Sequence, residues 1–437
     1  MPLNEPLAPS DPEEADPVVG PSKPRLLRLL GPGLITGASD DDPSGIATYS
    51  QAGAQFGYAL GWTMLFTYPL MVAVQMVSAR IGRTTGHGIA GTLRRHYPRW
   101  LLRAAVALLL LANVINLGAD LGAMADAATL LLPGPRAGWI VLFSALCIGM
   151  QVFLRYARYV AVLKWLSLAL LSYFAALAAV EVDWPAFLAG LLLPRIGAGG
   201  EALTTVVAIL GTTISPYLFF WQSAEEVEDM HTYPRRRALL DAPAQGARAL
   251  HRIGLDTLVG MGFSNLVALA IIVTTAATLH RAGITDIATS AEAAEALRPI
   301  AGPFAFAVFA LGIVGTGLLA VPVLAGSAAY AVGEALEWPT GFSRRWREAR
   351  AFYATVAVAT LAGMAMNFAG IDPIRALYGS AVLNGVIAVP VMAVMMLMAS
   401  RRDVMGEFAV TGWLRGLGWL ATLLMGLATL GMLATMW

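Results

Sequence analysis

Gly31-Pro-Gly-Leu-Ile-Thr-Gly-Ala-Ser-Asp-Asp-Asp-Pro-Ser-Gly45 opens the first long apolar stretch of the chain and decides how the rest is read. An apolar helix starts here, meets three aspartates and a proline, and resumes as an apolar helix as far as Tyr58. Proline removes a backbone donor and clashes with the preceding turn, and glycine weakens a helix further. The segment therefore predicts a helix broken in its middle. A carboxylate at membrane depth is costly and normally faces a cavity. A second stretch has the same character: Val207-Ala-Ile-Leu-Gly-Thr-Thr-Ile-Ser-Pro216, resuming through Tyr217–Gln222.

The chain has 437 residues, 57% of them hydrophobic and only 13% charged, with a mean hydropathy of +0.67. A soluble domain carries about 25% charged residues. The runs Leu258–Ala277, Ala305–Val332 and Gly379–Ala399 carry no charge and approach or exceed the roughly 20 residues that span a bilayer as a helix. The short alternating segments of a β-barrel are not seen. A net charge of +1 gives no electrostatic case for nucleic acid. The single cysteine, Cys147, lies inside an apolar run, where a lone thiol reads as packing material. No protein partner or cofactor is implied, only the bilayer.

About eleven spans are predicted, over 31–57, 60–82, 100–132, 137–154, 157–180, 201–230, 255–279, 301–336, 350–369, 376–400 and 411–436. Residues 1–24 are rich in Pro, Asp and Glu and read as a disordered tail, with the first span as the insertion signal. Every second loop is basic: Arg80 to Arg103, Arg155 to Lys164, Arg235 to Arg252, Arg344 to Arg350, and Arg401 with Arg402. The positive-inside rule then puts the N-terminus in the cytoplasm and the C-terminus outside an inner membrane. The two broken spans are the first and the sixth, equivalent places in two five-span halves of opposite topology. The expected organisation is an all-α 5+5 inverted repeat with a core over 25–400, its repeats over about 25–182 and 195–400, and an extra helix over 401–437. Paired broken helices in inverted repeats point to a transporter's substrate site.

The candidate ligands are oxygen donors. Asp42 stands directly before Pro43-Ser44-Gly45, where unwinding frees carbonyls to join its carboxylate. Thr212, Thr213 and Ser215 offer hydroxyls and freed carbonyls at the second break, and neither break holds sulfur or imidazole. Asp40 and Asp41 either line the path, or lie in water at a vestibule or cap the second half-helix. Asn113, Asn116 and Asp120 share one face of span three, and Asp126 reads as solvated near the outer end. Gly118 and Gly122 permit close helix packing. Glu225, on the order of 15 Å beyond Ser215, is a candidate for the cytoplasmic exit, and Asn384 for a supporting group or packing. This inventory suits Mg²⁺, which uses one or two carboxylates and keeps several waters. Softer metals are better selected where thioether, thiolate or imidazole is present.

The motif Asp42-Pro-Ser-Gly45 with Gln51-Ala-Gly-Ala-Gln-Phe-Gly-Tyr58 resembles the first span of the Nramp divalent-metal transporters, whose hallmark there is Asp-Pro-Gly-Asn. Ser78-Ala-Arg-Ile-Gly-Arg-Thr-Thr-Gly86 and Gly211-Thr-Thr-Ile-Ser-Pro216 resemble the same family. The resemblance implies a fold like that of the leucine transporter, and divalent-metal transport. It places the family's aspartate at Asp42, the hallmark asparagine ligand at Gly45, the methionine ligand at Ser215, the histidine of proton handling at Tyr217, and an acidic partner at Ala123. These departures are similar to those of the Nramp-related magnesium transporters. Gly45 and Ser215 would widen the site for a hydrated ion, and loss of the histidine leaves potential-driven, proton-independent uptake as the expectation.

The rival readings are a proton-coupled Mn²⁺ or Fe²⁺ importer, a sodium-coupled symporter for organic solutes, an intramembrane enzyme and a metal-sensing, non-transporting membrane protein. Loss of Met and His at the second break disfavours the first. The acidic run would repel a substrate carboxylate, against the second. The histidines lie in or near predicted loops and no His-Glu-x-x-His occurs, against the third. Only a flux measurement separates the sensor from a carrier.

Overall fold

The computed structural model describes residues 32–153, 171–195, 200–233, 235–287, 290–295, 305–370 and 372–435. The expected N-terminal tail, most of the fifth span and Trp437 lie outside the described residues. Regular structure among the described residues is entirely helical. Span one is α1 (Pro32–Asp40) and α2 (Pro43–Phe56). There follow α3 (Trp62–Thr85), the short α4 (Ile89–His96), α5 (Arg99–Thr129), α6 (Arg136–Phe153), α7 (Leu171–Ala179) and the short α8 (Trp184–Leu192). Span six is α9 (Gly200–Thr213) and α10 (Pro216–Thr232). The rest are α11 (Gly246–Thr275), α12 (Ser290–Glu295), α13 (Ala305–Leu336), α14 (Arg350–Met366), α15 (Pro373–Ala399) and α16 (Gly412–Thr435).

Nine stretches of the described residues are long and apolar enough to cross a membrane. The two remaining expected spans are span one, split into half-helices of 9 and 14 residues, and span five, of which only α7 is described. Hydropathy placed the start of span seven near residue 255, whereas α11 begins at Gly246. Arg248 and Arg252, read as loop residues, are helical. Arg252 is held there by Glu226 of α10, 2.6 Å away, so its charge does not end the helix.

Both breaks follow from an X-Pro step. The residue before proline is pushed out of the helical region, and proline suits the first helical position, where no donor is needed. Asp42 (φ −70°, ψ 171°) precedes Pro43 and Ser215 (φ −81°, ψ 139°) precedes Pro216. Each is extended, and each stands at the N-cap of the second half-helix.

Packing shows the twofold relation of the halves. The first broken helix lies along α11, while α10 of the second lies along α3, the exchange expected when spans one and two map onto six and seven. Around this core α5 packs on α13, α14 and α15, and α16 covers α3, α9 and α15. Gly118 meets Gly363 of α14 at the α5 crossing, where a Cβ would stand 2.8 Å from the Gly363 carbonyl oxygen. The α3–α10 contact is closer still: a Cβ on Gly82 would stand 2.1 Å from the Ser223 carbonyl oxygen. Overpacking of this kind costs about 1–3 kcal/mol. Gly82→Ala is therefore expected to lower the thermal midpoint of the detergent-solubilised protein by several degrees, and an unchanged midpoint would show that the crossing yields.

Candidate ion-binding site

Asp42 holds the first break together. Its Oδ1 accepts from the Gly45 amide and the Ser44 hydroxyl, each at 2.7 Å, as an N-cap carboxylate does at the positive end of a helix. Its Oδ2 accepts from Asn116 Nδ2 of α5 at 2.9 Å and lies 3.4 Å from the Tyr217 hydroxyl. Asn116 is oriented in turn by Ser380 of α15, whose hydroxyl lies 2.7 Å from Asn116 Oδ1 and 2.7 Å from the Leu377 carbonyl oxygen.

The two breaks meet. The Tyr217 hydroxyl, from the first turn of α10, donates to the Ser39 carbonyl oxygen at 2.8 Å, near the end of α1. The Thr212 hydroxyl of α9 stands 3.0 Å from where a Cβ on Gly45 would be. Ser215 turns its hydroxyl back onto the Gly211 and Thr212 carbonyl oxygens at 2.6 and 2.9 Å. Three carbonyls exposed by unwinding, of Ser39, Gly211 and Thr212, are thus capped by hydroxyls of the second break. A cation held by these oxygens shares lone pairs with those hydroxyls. Thr213 bonds back to its own helix, at Ile209 O.

The expected widening at Gly45 is not found. A side chain there would press on Thr212, on the Asp40 carbonyl at 3.2 Å and on the Tyr49 ring at 3.3 Å. The absent side chain is matched by Thr212 and Tyr49, and Gly45 brings an amide to Asp42. Asp42, Asn116, Thr212, Ser215 and Tyr217 are at most 2% exposed, so the site is closed to solvent on both sides.

The remaining candidates are spread around it. Asp41 and Asp120 are fully buried; among the described residues their carboxylate oxygens form no hydrogen bond of normal geometry, although the Ser44 backbone lies near Asp120 and the Ser264 hydroxyl near Asp41. Asp120 is within electrostatic reach of Asp42. Asn113, expected on the path, gives its amide to Leu324 O and Ser327 Oγ at 2.8 and 2.7 Å, tying α5 to α13. Asn384 is buried on α15 with its Nδ2 unbonded. Glu225, expected at an open exit, is fully buried. Its neighbours lock α10 in place: Glu226 to Arg252, and Glu228 to the Tyr330 hydroxyl at 3.0 Å and the Ser343 amide at 2.5 Å. Asp126, read as solvated, is paired with Arg136 at 2.5 Å.

Sequence reasoning missed Ser380, and Ser264 of α11, which donates to Asp40 Oδ2 at 2.5 Å. The only signal was that three buried carboxylates require donors somewhere among the hydroxyls of neighbouring spans.

Toward the far end of α2 and α9 opens a cavity of about 770 Å³, lined among others by Gln51, Gln55, Glu201, Thr204, Arg375 and Tyr378. Gln55 bridges it to Glu201 at 2.9 Å. Ile46, Ala123, Ile374 and Leu377 line a second, smaller and mainly apolar pocket, which shares Ala47, Ile287 and Ile374 with the cavity. Among the described residues no three His, Cys, Asp or Glu side chains converge as a cage. The arrangement offers one carboxylate with hydroxyls and carbonyls, which suits a passing ion more than a resident one.

A many-span helical protein whose two broken helices meet at a buried carboxylate, between halves of opposite topology, has the architecture of an inverted-repeat membrane transporter. The chain belongs to the Nramp family: the family's sequence profile, natural resistance-associated macrophage protein-like, matches residues 33–435. The divalent metal cation transporter MntH of Klebsiella pneumoniae subsp. pneumoniae is 26% identical over 400 residues, 90% of each chain. MntH of Burkholderia ambifaria is 29% identical over 397 residues, 88% of this chain and 83% of that one. Among solved structures, the Eremococcus coleocola manganese transporter, in complex with an aromatic bis-isothiourea compound, superposes with a TM-score of 0.74. It is 17% identical, covering 94% of this chain and 88% of that one. A nucleobase-cation-symport-1 family transporter in a closed conformation gives 0.55 at 15% identity, covering 93% and 92%.

Proposed function

We propose that this protein carries hard divalent cations, Mg²⁺ foremost and Mn²⁺ with it, across the inner membrane by alternating access, driven by the membrane potential without proton coupling. Divalent transport is supported by family membership and by the relatives, which are divalent metal cation transporters. The observation that carries the hard-ion reading is the set of possible ligands where the breaks meet: the Asp42 carboxylate, the Ser39, Gly211 and Thr212 carbonyl oxygens and the Ser215 and Tyr217 hydroxyls, all of them oxygen. Hard cations take oxygen ligands, and selection of softer metals uses thioether or imidazole. The family positions for those groups are Ser215 and Tyr217 here.

The proposed orientation has the N-terminus inside and the C-terminus outside. It is supported by the basic loops gathering at one end, where Leu239 N bonds to Arg83 O, Arg94 pairs with Glu337 and Arg401 lies over the Tyr97 ring. The cavity at Gln51 and Glu201 is then the outer vestibule, and the buried α10 carboxylates belong to a closed inner side.

The potential suffices as a driving force. It is worth about 2.3 kcal/mol per charge per 100 mV, so a divalent ion gains about twice that, roughly a thousandfold accumulation. In proteoliposomes with an imposed potential and an internal pH dye, Mg²⁺ entry is expected to rise with the potential while the lumen does not acidify. Acidification tracking metal entry would replace this reading with proton-coupled Mn²⁺ or Fe²⁺ import.

A further inference from the structure

Asp40 and Asp41 stand next to the Asp42 site but face elsewhere. Asp42 turns to α5 and α10. Asp40, at the end of α1, accepts from Ser264 of α11 through Oδ2 at 2.5 Å and leaves Oδ1 without a donor. Asp41 lies beside the same Ser264 hydroxyl, whose one proton is directed to Asp40. Among the described residues neither Asp41 oxygen forms a hydrogen bond of normal geometry, although the residue is fully buried. Tyr173 of α7 is within electrostatic reach of Asp41. It is 4% exposed, and its hydroxyl has no partner among the described residues.

Charge makes this arrangement unusual. Among the described residues no Lys, Arg or His forms an ion pair with Asp40, Asp41 or Asp42. Asp40 sits at the C-terminal end of α1, where the helix dipole adds negative potential, while the positive end of α2 faces Asp42. Buried charges are otherwise paired or coordinate metals. A divalent ion at Asp42 offsets two of the three charges and leaves the acceptors at Asp41 unserved.

We infer that Asp40 and Asp41, with the hydroxyls of Ser264 and Tyr173, form a second site for a hard, oxygen-ligated cation beside the one at Asp42. The inference rests on the proposed role of Asp42 for its charge count alone. Two carboxylates and two hydroxyls suit an alkali or alkaline-earth ion. A second Mg²⁺ and a co-bound Na⁺ share this chemistry, and binding measurements separate them.

The test is calorimetric titration of the purified full-length protein with MgCl₂, in choline-based and in sodium-based buffer. Two Mg²⁺ per chain identifies a second divalent ion. One Mg²⁺ per chain, bound at least tenfold more tightly with Na⁺ present, identifies sodium. In either case Asp41→Asn abolishes the second ion and keeps Mg²⁺ at Asp42, Asp41→Glu restores it, and thermal melting confirms that both variants are folded. One Mg²⁺ per chain with an affinity indifferent to Na⁺, unchanged in Asp41→Asn, overturns the inference. A failure of the Asp42 reading looks different: Asp42→Asn would then leave the whole titration as in the wild type.

Discussion

Asp42→Asn is expected to cut Mg²⁺ and Mn²⁺ uptake into proteoliposomes by about a hundredfold or more, about 3 kcal/mol, while the protein stays folded. The two halves of this expectation have separate physical causes. Asparagine has the shape of aspartate, and its Oδ1 still accepts from Gly45 and Ser44, so the cap on α2 survives. Its Nδ2 would meet the Asn116 amide, but Asn116 can flip. Ser380 then accepts from Asn116 and donates to Leu377 O, a bond within its reach at 2.7 Å. Every polar group is satisfied again, and only the charge is lost. A cation leaving water for this closed site then has dipoles alone to replace its hydration, and carbonyls and hydroxyls without a carboxylate hold it weakly. Uptake within threefold of the wild type, with an unchanged melting temperature, would remove Asp42 as the ligand.

Ser215→Met is expected to shift the Mn²⁺ to Mg²⁺ uptake ratio at least tenfold towards Mn²⁺. Ser215 stands at the N-cap of α10 without capping it by side chain, and its hydroxyl folds back onto Gly211 and Thr212. Replacement therefore uncovers two carbonyl oxygens at the break and adds a thioether beside them. The carbonyls serve either ion. The thioether favours the softer one and gives Mg²⁺ nothing. An unchanged ratio in the variant would show that ligand softness does not set selectivity here.

The fold was legible where the chain combines two signals in one place. A proline alone is ambiguous, since Pro69, Pro322 and Pro390 sit inside continuous helices. Pro43 and Pro216 break theirs because the preceding Asp42 and Ser215 take up extended backbone in a stretch already weakened by small polar residues. Hydropathy starts span seven near residue 255 because it counts Arg248 and Arg252 as loop, whereas the helix itself runs back to Gly246. In the folded chain the partner of Arg252 is Glu226 on another span, a pairing that no window along one segment can register.

The sequence marks the carboxylate of the candidate site more plainly than its surroundings. Asn113 and Asn116 share a helical face, yet one binds α13 and the other Asp42. Spacing gives the face but not the partner opposite each residue. Ser264 and Ser380 are single hydroxyls in apolar spans, where serine commonly bonds to its own helix, so nothing marked them. Gly45 misled in the other direction. A missing side chain reads as space, and here Thr212 and Tyr49 occupy it.

The most direct test of the central claim, that an ion binds at Asp42 where the two breaks meet, is anomalous diffraction from crystals of the full-length protein soaked in Mn²⁺. The account predicts an anomalous peak within coordinating distance of the Asp42 carboxylate, between α1 and α9, that disappears in Asp42→Asn. A peak elsewhere in the spans with none at Asp42, or one at Asp42 that survives the substitution, would contradict it.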